Sequence, residues 1–326
     1  MLPVNGGAQL GFDFETTRLV RVTPSRLATW TDCPRRYRMT YLDRPSPPRG
    51  GAWAHNTLGA VVHLALRSLF DLPAADRTPR VAAALVNRHW TSEGFRDAAQ
   101  AAEYRERAGE WVADYAAEWS ASGASIDPEW SAGGASIDPE WSAGGASIDP
   151  EWSAGGASMD TVAESDVGPV GLEQWVSVAT DRILAEGRVD RIDRRGTELV
   201  VVDYKTGRRT PTVEDARSSQ ALALYALATE HTLRRPCTQV ELHHLPSREV
   251  LAWRHDRASL REHVRRAEET AADLAAASDE LVAGGDAESI FPPRPGPRCS
   301  TCHVRRNCPE GRAAAPERTS WALLAP

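Results

Sequence analysis

The pattern of apolar and polar positions changes near residue 165. In residues 55–117, apolar residues recur at the spacing of helices with one buried face. From about residue 165 onward, short runs rich in β-branched residues are separated by turn residues, which is typical of strands. We predict three successive strands at residues 174–180, 183–192 and 198–204, the last two joined by a tight hairpin at Arg194, Arg195 and Gly196.

Helices are predicted on both sides of these strands. The clearest one covers residues 55–71, where an apolar stripe follows Thr57, a residue type that suits an N-cap. Residues 79–117 are also predicted to be helical, and a shorter amphipathic helix begins near Ser25. Beyond the hairpin, the pattern predicts one helix from Thr212 to about residue 233, strands at 239–245 and 250–253, and a long helix at 259–282. The expected fold class is α/β.

Residues 118–160 interrupt this pattern with four tandem copies of an eleven-residue unit. Each full copy carries a proline and glycine-rich turns, which a continuous helix would not tolerate. The copies are too few to form a solenoid, so we predict a flexible insert. The predicted divisions are an N-terminal helical part at 1–117, the insert at 118–160, a core at 161–285 and a cysteine-containing segment with a tail at 286–326.

The charge of the chain is unevenly distributed. The formal net charge is −7, and the insert alone carries −8, so the remainder sums to +1. Residues 21–49 carry a local +5 from seven arginines, including Arg35 and Arg36, interleaved with aromatic residues. This combination suits a strand of nucleic acid, through phosphate attraction and base stacking. The alternative is an ordinary amphipathic helix whose aromatic residues belong to the core.

No stretch approaches the 18 apolar residues of a membrane span, and the first residues lack a signal-peptide pattern. We therefore expect a cytoplasmic protein that does not associate with a membrane.

Two aspartates and a lysine are placed to meet in the predicted hairpin. Asp190 lies in its first strand, whereas Asp203 ends the second strand and Lys205 follows two places later. Residues i and i+2 of a strand point to the same face, so Asp203 and Lys205 project together and the hairpin can bring Asp190 beside them. Such a set suits a divalent metal with hard oxygen ligands, plus a cation that offsets developing negative charge.

Lys205 is the only lysine in the chain, since the other 37 of the 38 basic residues are arginine. Lysine is a compact charge with a tunable pKa, whereas arginine does not lose its proton. A nucleotide-binding P-loop would need a lysine of its own, so no helicase motor is expected in this sequence. Any unwinding would require a separate helicase partner.

Three of the five cysteines form a compact C-x₂-C-x₅-C group of Cys299, Cys302 and Cys308. In an apparently cytoplasmic protein, this spacing favours metal or cluster ligation over disulfides. A fourth ligand is needed, and the candidates are His303, which would give a zinc site, or the distant Cys33. Cys237 is expected to be a buried thiol.

Asp190 followed by Asp203-Tyr204-Lys205 resembles the pattern of the PD-(D/E)xK nuclease superfamily, and the surroundings resemble its RecB-type exonuclease branch. That branch carries a G-x-x-x-H helix, which His63 and the residues before it match. The resemblance implies that His63, Asp190, Asp203 and the backbone carbonyl of Tyr204 hold Mg²⁺ or Mn²⁺. It also implies that Lys205 positions or activates the attacking water.

The resemblance further implies residues that contact DNA. The family has a glutamine four residues before a tyrosine on the helix after the hairpin, and this pair contacts the DNA backbone. Tyr225 matches the tyrosine, but Gln220 lies five residues before it and Ala221 occupies the expected place. A surface glutamine and a core tyrosine are the alternative interpretation.

Nucleases of the AddB kind have a cysteine followed by proline before the nuclease core and a C-x₂-C-x₅-C group after it, which together bind a [4Fe–4S] cluster. Cys33-Pro34 and the group of Cys299, Cys302 and Cys308 match this order. The implied fold is a restriction-endonuclease-like mixed central sheet flanked by helices, with an N-terminal helical part and a C-terminal iron–sulfur staple.

The implied function is a metal-dependent DNA exonuclease that acts on single-stranded or end-bearing DNA in repair or recombination. A rival hypothesis is a non-catalytic DNA-binding or scaffold subunit of a helicase–nuclease complex; the intact Asp190, Asp203 and Lys205 argue against it. A third hypothesis is a zinc protein whose acidic residues are surface charge.

Overall fold

A computed structural model describes residues 19–121 and 167–324, which contain one six-stranded mixed sheet with helices on both faces. The strands are β1 Val20–Val22, β2 Val167–Ala179, β3 Ile183–Arg195, β4 Glu198–Lys205, β5 Cys237–His244 and β6 Glu249–Arg254. The helices are α1 Pro24–Asp32, α2 Pro34–Tyr37, α3 Ala54–Phe70, α4 Pro79–His89, α5 Ala98–Ala121, α6 Val213–Ser218, α7 Gln220–Leu233, α8 Arg257–Val282, α9 Ala287–Ile290 and α10 Pro309–Ala314. Short π or 3₁₀ turns lie at Arg38–Leu42, Ala74–Asp76, Pro297–Thr301 and Arg305–Asn307. None of these helices has the length and apolarity needed to cross a membrane.

The long strand β3 organises the sheet. Along one edge it pairs antiparallel with β2. Its other edge is shared: β1 pairs parallel with Ile183–Ala185, and β4 pairs antiparallel with Arg191–Arg195. The sheet continues through β5, parallel to β4, and ends at the antiparallel β6. This arrangement leaves an opening between β1 and β4 at residues 186–190 of β3, which we call the fork.

The alternation of β4 explains the two hydrophobic layers. Val200, Val202 and Tyr204 belong to the buried cluster formed with α3, α4 and α5. Leu199 and Val201 belong to the cluster on the opposite face, formed with α7. Because successive side chains of a strand point to opposite faces, the apolar run at residues 199–202 requires helices on both sides of the sheet. The predicted α/β architecture with a mixed sheet and flanking helices is confirmed.

Four local predictions differ from the structure. Residues 79–117, expected to be helical, form two helices, α4 and α5, and residues 90–97 between them are not helical. The prediction that Thr57 caps α3 is wrong, because the helix begins three residues earlier with Trp53 at the N-cap, and the Thr57 hydroxyl instead donates to the carbonyl of Glu93. The single helix expected from residue 212 is two helices separated at Ser219, whose hydroxyl accepts from the backbone N–H of Leu222. The hairpin turn is Gly196 and Thr197, with Gly196 at a φ of 61° that favours glycine.

The end of α5 contains the first residues of the tandem repeat. The helix continues through Ala121, so the folded part extends beyond the predicted boundary at residue 117. Trp119 from the first copy is 6% exposed and lies in the cluster formed with α3. The other copies, and the prediction that they are flexible, lie outside the described residues.

A buried arginine joins this cluster to the sheet. Arg191 of β3 is fully buried, forms an ion pair with Asp193 at 2.8 Å and donates to the hydroxyl of Tyr204 at 2.9 Å. Its guanidinium also lies 4.4 Å from the ring centroid of Trp119 and 4.6 Å from that of Phe70. Burial opposes the charge, but the carboxylate of Asp193 raises the pKa of Arg191, so it stays protonated.

We expect Arg191→Leu to lower the free energy of unfolding by roughly 3–5 kcal/mol, because it leaves the carboxylate of Asp193 buried without its charged partner. Urea denaturation followed by circular dichroism measures this. Adding Asp193→Leu should recover much of the loss, since a buried pair replaced by apolar residues is often neutral. Arg182→Leu, at an exposed position just before β3, is the matched control. An unchanged midpoint in Arg191→Leu would contradict the expectation.

Candidate active site

The fork brings two of the predicted site residues into direct contact. His63 of α3 places its Nδ1 at 3.4 Å from Oδ1 of Asp190. The other oxygen, Oδ2, accepts the backbone N–H of Tyr204 at 3.0 Å. Asp190 is therefore held from two sides, by a helix and by the neighbouring strand β4.

Glu173 of β2 completes this group, and sequence reasoning missed it. One donor atom each from His63, Glu173 and Asp190 lie within 4.8 Å of one another. The β2–β3 residue pairs just before and just after Glu173 and Asp190 have the same register. Glu173 and Asp190 therefore lie opposite each other on the two strands. No sequence motif marks Glu173, because its place depends on that register.

The backbone of Glu173 is unusual. Its φ is 47°, in the left-handed region that a non-glycine residue rarely adopts. Such strained residues persist where surrounding structure enforces them, and they cluster at functional sites. An ion pair of 2.8 Å between a carboxylate oxygen of Glu173 and Nε of Arg188 fixes the side chain.

Asp203 and Lys205 project together as expected. At the end of β4, their side chains form a short ion pair, and the Lys205 side chain is 45% exposed whereas that of Asp203 is 23% exposed. The ammonium thus lies at the surface of the site, beside a carboxylate that is mostly covered.

The electrostatics of the site favour added positive charge. Burial raises the pKa of Asp203, and the nearby carboxylate of Asp190 raises it further, against the opposing effect of Lys205. Burial alone would lower the pKa of His63, but the hydrogen bond and charge of Asp190 raise it. The negative charges of Asp190 and Asp203 thus repel each other, and both of them and Glu173 raise the pKa of His63, although Asp203 lies outside the group formed by His63, Glu173 and Asp190.

Two cavities open on this set of residues. The larger, of about 920 Å³, is lined by His63, Glu173 and Asp190 and is called the site cavity. The smaller, of about 430 Å³, is lined by Lys205 and is called the lysine cavity. Gly59 lines both cavities; a Cβ there would come within 3.3 Å of the Thr206 hydroxyl, so glycine lets α3 approach the end of β4.

Tyr225 lines the site cavity, whereas Gln220 does not. The Tyr225 ring lies over Gly187 of β3, where an added Cβ would come within 2.5 Å of the ring. Burial and the charge of Asp203 raise the pKa of Tyr225 to about 12, so its hydroxyl keeps its proton. Gln220 donates instead to the carbonyl of His263 at 3.4 Å.

Arg35 and Arg36 lie away from the site cavity. The Arg35 side chain is 7% exposed and forms ion pairs with Glu288 and Glu310. The Arg36 guanidinium lies 3.6 Å from a carboxylate oxygen of Asp32. Both arginines line a different cavity, of about 360 Å³, which we call the cysteine cavity.

All four predicted cysteines line the cysteine cavity. They are Cys33, Cys299, Cys302 and Cys308. Two of the sulfurs accept backbone N–H groups: Cys33 from Arg36 at 3.5 Å and Cys308 from Gly311 at 3.3 Å. The fold thus joins the segment between α1 and α2 to the segment before α10, although these are far apart in the sequence. Cys237 is buried in the sheet instead.

The cysteine sulfurs are spread around the cavity rather than gathered at one point. Among the described residues, no three of these sulfurs lie within 4.8 Å of one another. Tetrahedral zinc with Zn–S bonds of about 2.3 Å would hold its sulfurs about 3.8 Å apart. His303, the alternative fourth ligand, does not line the cavity, and its Nε2 pairs with the Thr40 hydroxyl at 2.9 Å.

No curated protein matches the chain. The family model described as the PD-(D/E)XK nuclease superfamily matches residues 21–309, which include all the site residues above. Nucleases of this superfamily use divalent metal ions, and the acidic group at the fork is a possible site for one. The matched region covers all of the sheet except Val20, helices on both of its faces and the four cysteines. The chain therefore belongs to the PD-(D/E)XK nuclease superfamily.

Proposed function

We propose that this chain is a metal-dependent DNA exonuclease that acts on single-stranded or end-bearing DNA. The observation that carries the proposal is the convergence of His63, Glu173 and Asp190 at the fork, next to the Asp203–Lys205 ion pair. A cavity large enough for a nucleotide opens directly on this group. Family membership supports nuclease activity, and the site geometry supports the assignment of residues.

The donor set fits Mg²⁺ or Mn²⁺. Carboxylate oxygens are the ligands that these hard ions prefer, and imidazole is accepted by Mn²⁺ and related metals. His63, Asp190, Asp203 and the carbonyl of Tyr204 would hold the metal, with Glu173 as an additional ligand. The metal would supply a Lewis acid that polarises a phosphoryl oxygen. Mutual repulsion of the carboxylates supports such an occupant.

Lys205 would orient the attacking water and offset the negative charge that develops on the phosphoryl group. In the reaction, the water oxygen adds to phosphorus, one P–O ester bond breaks, and the departing sugar oxygen takes up a proton. Asp203 keeps the Lys205 ammonium in place through their ion pair. The backbone N–H of Tyr204 keeps the carboxylate of Asp190 turned toward His63.

Lys205→Ala should lower the rate of metal-dependent cleavage of end-labelled single-stranded DNA by at least about 100-fold, because a charge aimed at the transition state is lost. Folding and DNA binding should remain, since the Lys205 side chain is 45% exposed. Gel analysis of products over time in Mg²⁺ or Mn²⁺ measures the rate and the polarity of digestion.

Arg235→Ala is the matched control for Lys205→Ala. It removes an exposed positive charge just before β5, whose first residue pairs with the start of β4, opposite the end that carries Lys205. Cleavage that survives Lys205→Ala would contradict the proposed mechanism. A native chain that binds DNA and does not cleave it would instead be the non-catalytic subunit, dependent on a helicase–nuclease partner.

Glu173→Gln should raise the Mn²⁺ concentration for half-maximal cleavage by about tenfold or more, because one anionic ligand becomes neutral. Two controls separate metal binding from packing. Arg188→Gln breaks the ion pair with Glu173 and keeps the carboxylate. Glu186→Gln neutralises a carboxylate of the same fork that pairs with Arg21 at 3.0 Å. An equal metal requirement in all three variants would remove Glu173 from the ligand set.

We also propose a [4Fe–4S] cluster in the cysteine cavity. Four thiolates are the usual ligands of such a cluster, and backbone N–H groups that donate to sulfur are among the contacts that tune it. The wide spacing of the sulfurs and the volume of the cavity, about 360 Å³, support a cluster over a single zinc ion. Arg35 and Arg36 line the cavity and would offset the negative charge of the thiolates.

The anaerobically purified chain should be brown and contain about four iron atoms, as this type of cluster requires. Replacing any one of Cys33, Cys299, Cys302 or Cys308 by serine should lower the iron content and the visible absorbance. Cys237→Ala, at the remaining cysteine, should leave both unchanged. Colourless native protein that contains zinc would contradict the cluster.

A further inference from the structure

An exposed tryptophan lies beside the site. Trp175 of β2 is 64% exposed and lines the site cavity together with His63 and Asp190. Its neighbour along the strand, Val176, is buried in the core, so Trp175 belongs to the opposite face of the sheet. An exposed indole in a cavity offers a flat apolar face on which a nucleobase can stack.

The surroundings of Trp175 combine apolar surface with positive charge. Leu64 of α3, which is 44% exposed, lines the same cavity, and so do Arg67 and Arg188. Arg188 is the cross-strand partner of Trp175, and its side chain is 63% exposed. Arg67 is exposed and has no carboxylate partner among the described residues. Arg188 is paired with Glu173 at 2.8 Å, so Arg67 supplies the uncompensated charge. A flat apolar ring beside this arginine is complementary to a base and its phosphate.

Trp175 lies a short way along the strand from the group of His63, Glu173 and Asp190. It is two residues along β2 from Glu173, which corresponds to about 7 Å of strand. Its cross-strand partner Arg188 is likewise two residues along β3 from Asp190. An indole at this distance is within reach of the nucleotide next to a phosphate bound at the fork.

We propose that Trp175 stacks on the nucleobase that adjoins the scissile phosphate, so that the site cavity takes an unpaired nucleotide. This inference rests on the proposed nuclease function and specifies its substrate as a single strand. In a duplex both faces of a base are already stacked on neighbours, so an indole can reach them only at an end or in a single strand. Arg67 then contacts a flanking phosphate.

The test is a binding cycle that changes the tryptophan and the base separately. A labelled intact twelve-nucleotide single strand, a set of the same strand with one abasic position each, and a blunt duplex are titrated with the native chain and with Trp175→Ala. Fluorescence anisotropy is read with Ca²⁺ or EDTA in place of Mg²⁺, and intact label is checked by gel. Trp175→Phe retains an aromatic ring, and Val170→Ala is the control on the same strand, exposed to 44% and outside the site cavity.

Trp175→Ala should weaken binding of the intact strand by about 5- to 100-fold, the range expected for loss of one base stack. An abasic residue at one position should weaken binding of the native chain by a similar factor and have no further effect in Trp175→Ala. Trp175→Phe should retain most of the affinity, and Val170→Ala all of it. Affinity for a blunt duplex should not depend on Trp175.

Two results would overturn the inference. One is that Trp175→Ala weakens binding of intact and abasic strands by the same factor, which would mean that the ring does not contact a base. The other is that Trp175→Ala does not change the affinity for the single strand. A native chain that does not bind the single strand would overturn the inference in the same way. Cleavage of the same strands with Mn²⁺ tests the nuclease function separately. The native chain could lose affinity for abasic strands only when Trp175 is present and still not cleave DNA. That result would support the stacking site and contradict the nuclease proposal.

Discussion

The site depends on the pairing of β3 with β4, and one buried arginine fixes that pairing. Arg191 on β3 donates to the hydroxyl of Tyr204 on β4, and each of these residues adjoins a site carboxylate in the sequence. A slip of one residue in a strand pair would turn every side chain to the other face. The Arg191–Tyr204 contact therefore helps to fix the register that brings Asp203 near Asp190, while aromatic rings from α3 and α5 enclose the guanidinium.

Around this pair, the fold gathers negative charge and leaves it partly uncompensated. His63 on α3, Arg188 on β3 and Lys205 at the end of β4 each lie against one of the site carboxylates. Their contribution does not prevent the pKa of Asp203 from rising on burial. A protein that holds carboxylates together in this way loses stability at the site, and a bound cation would recover it. The strained backbone of Glu173 also lowers the stability of the protein at this site.

A separate set of contacts joins the two ends of the described chain. The buried guanidinium of Arg35, close to the N-terminal end, pairs with Glu288 and Glu310 near the C-terminal end. The cysteine cavity lies beside these pairs. Arg35 is thus buried in contacts within the protein, and Arg36 pairs with Asp32. The basic segment that suggested nucleic-acid binding in the sequence therefore uses two of its arginines for contacts inside the fold. Local charge does not reveal whether its partner is a ligand or the protein itself.

The sequence alone determined what depends on local periodicity: the strands of the hairpin, the long helices, and the common face of Asp203 and Lys205. It also indicated the cysteine group through residue spacing. Tertiary structure decided the rest. The β2–β3 register places Glu173 in the site and Trp175 against the site cavity. Trp119 of the repeat belongs to the core because α5 packs against Arg191. Register and packing are set by contacts between distant segments, and no local pattern encodes them.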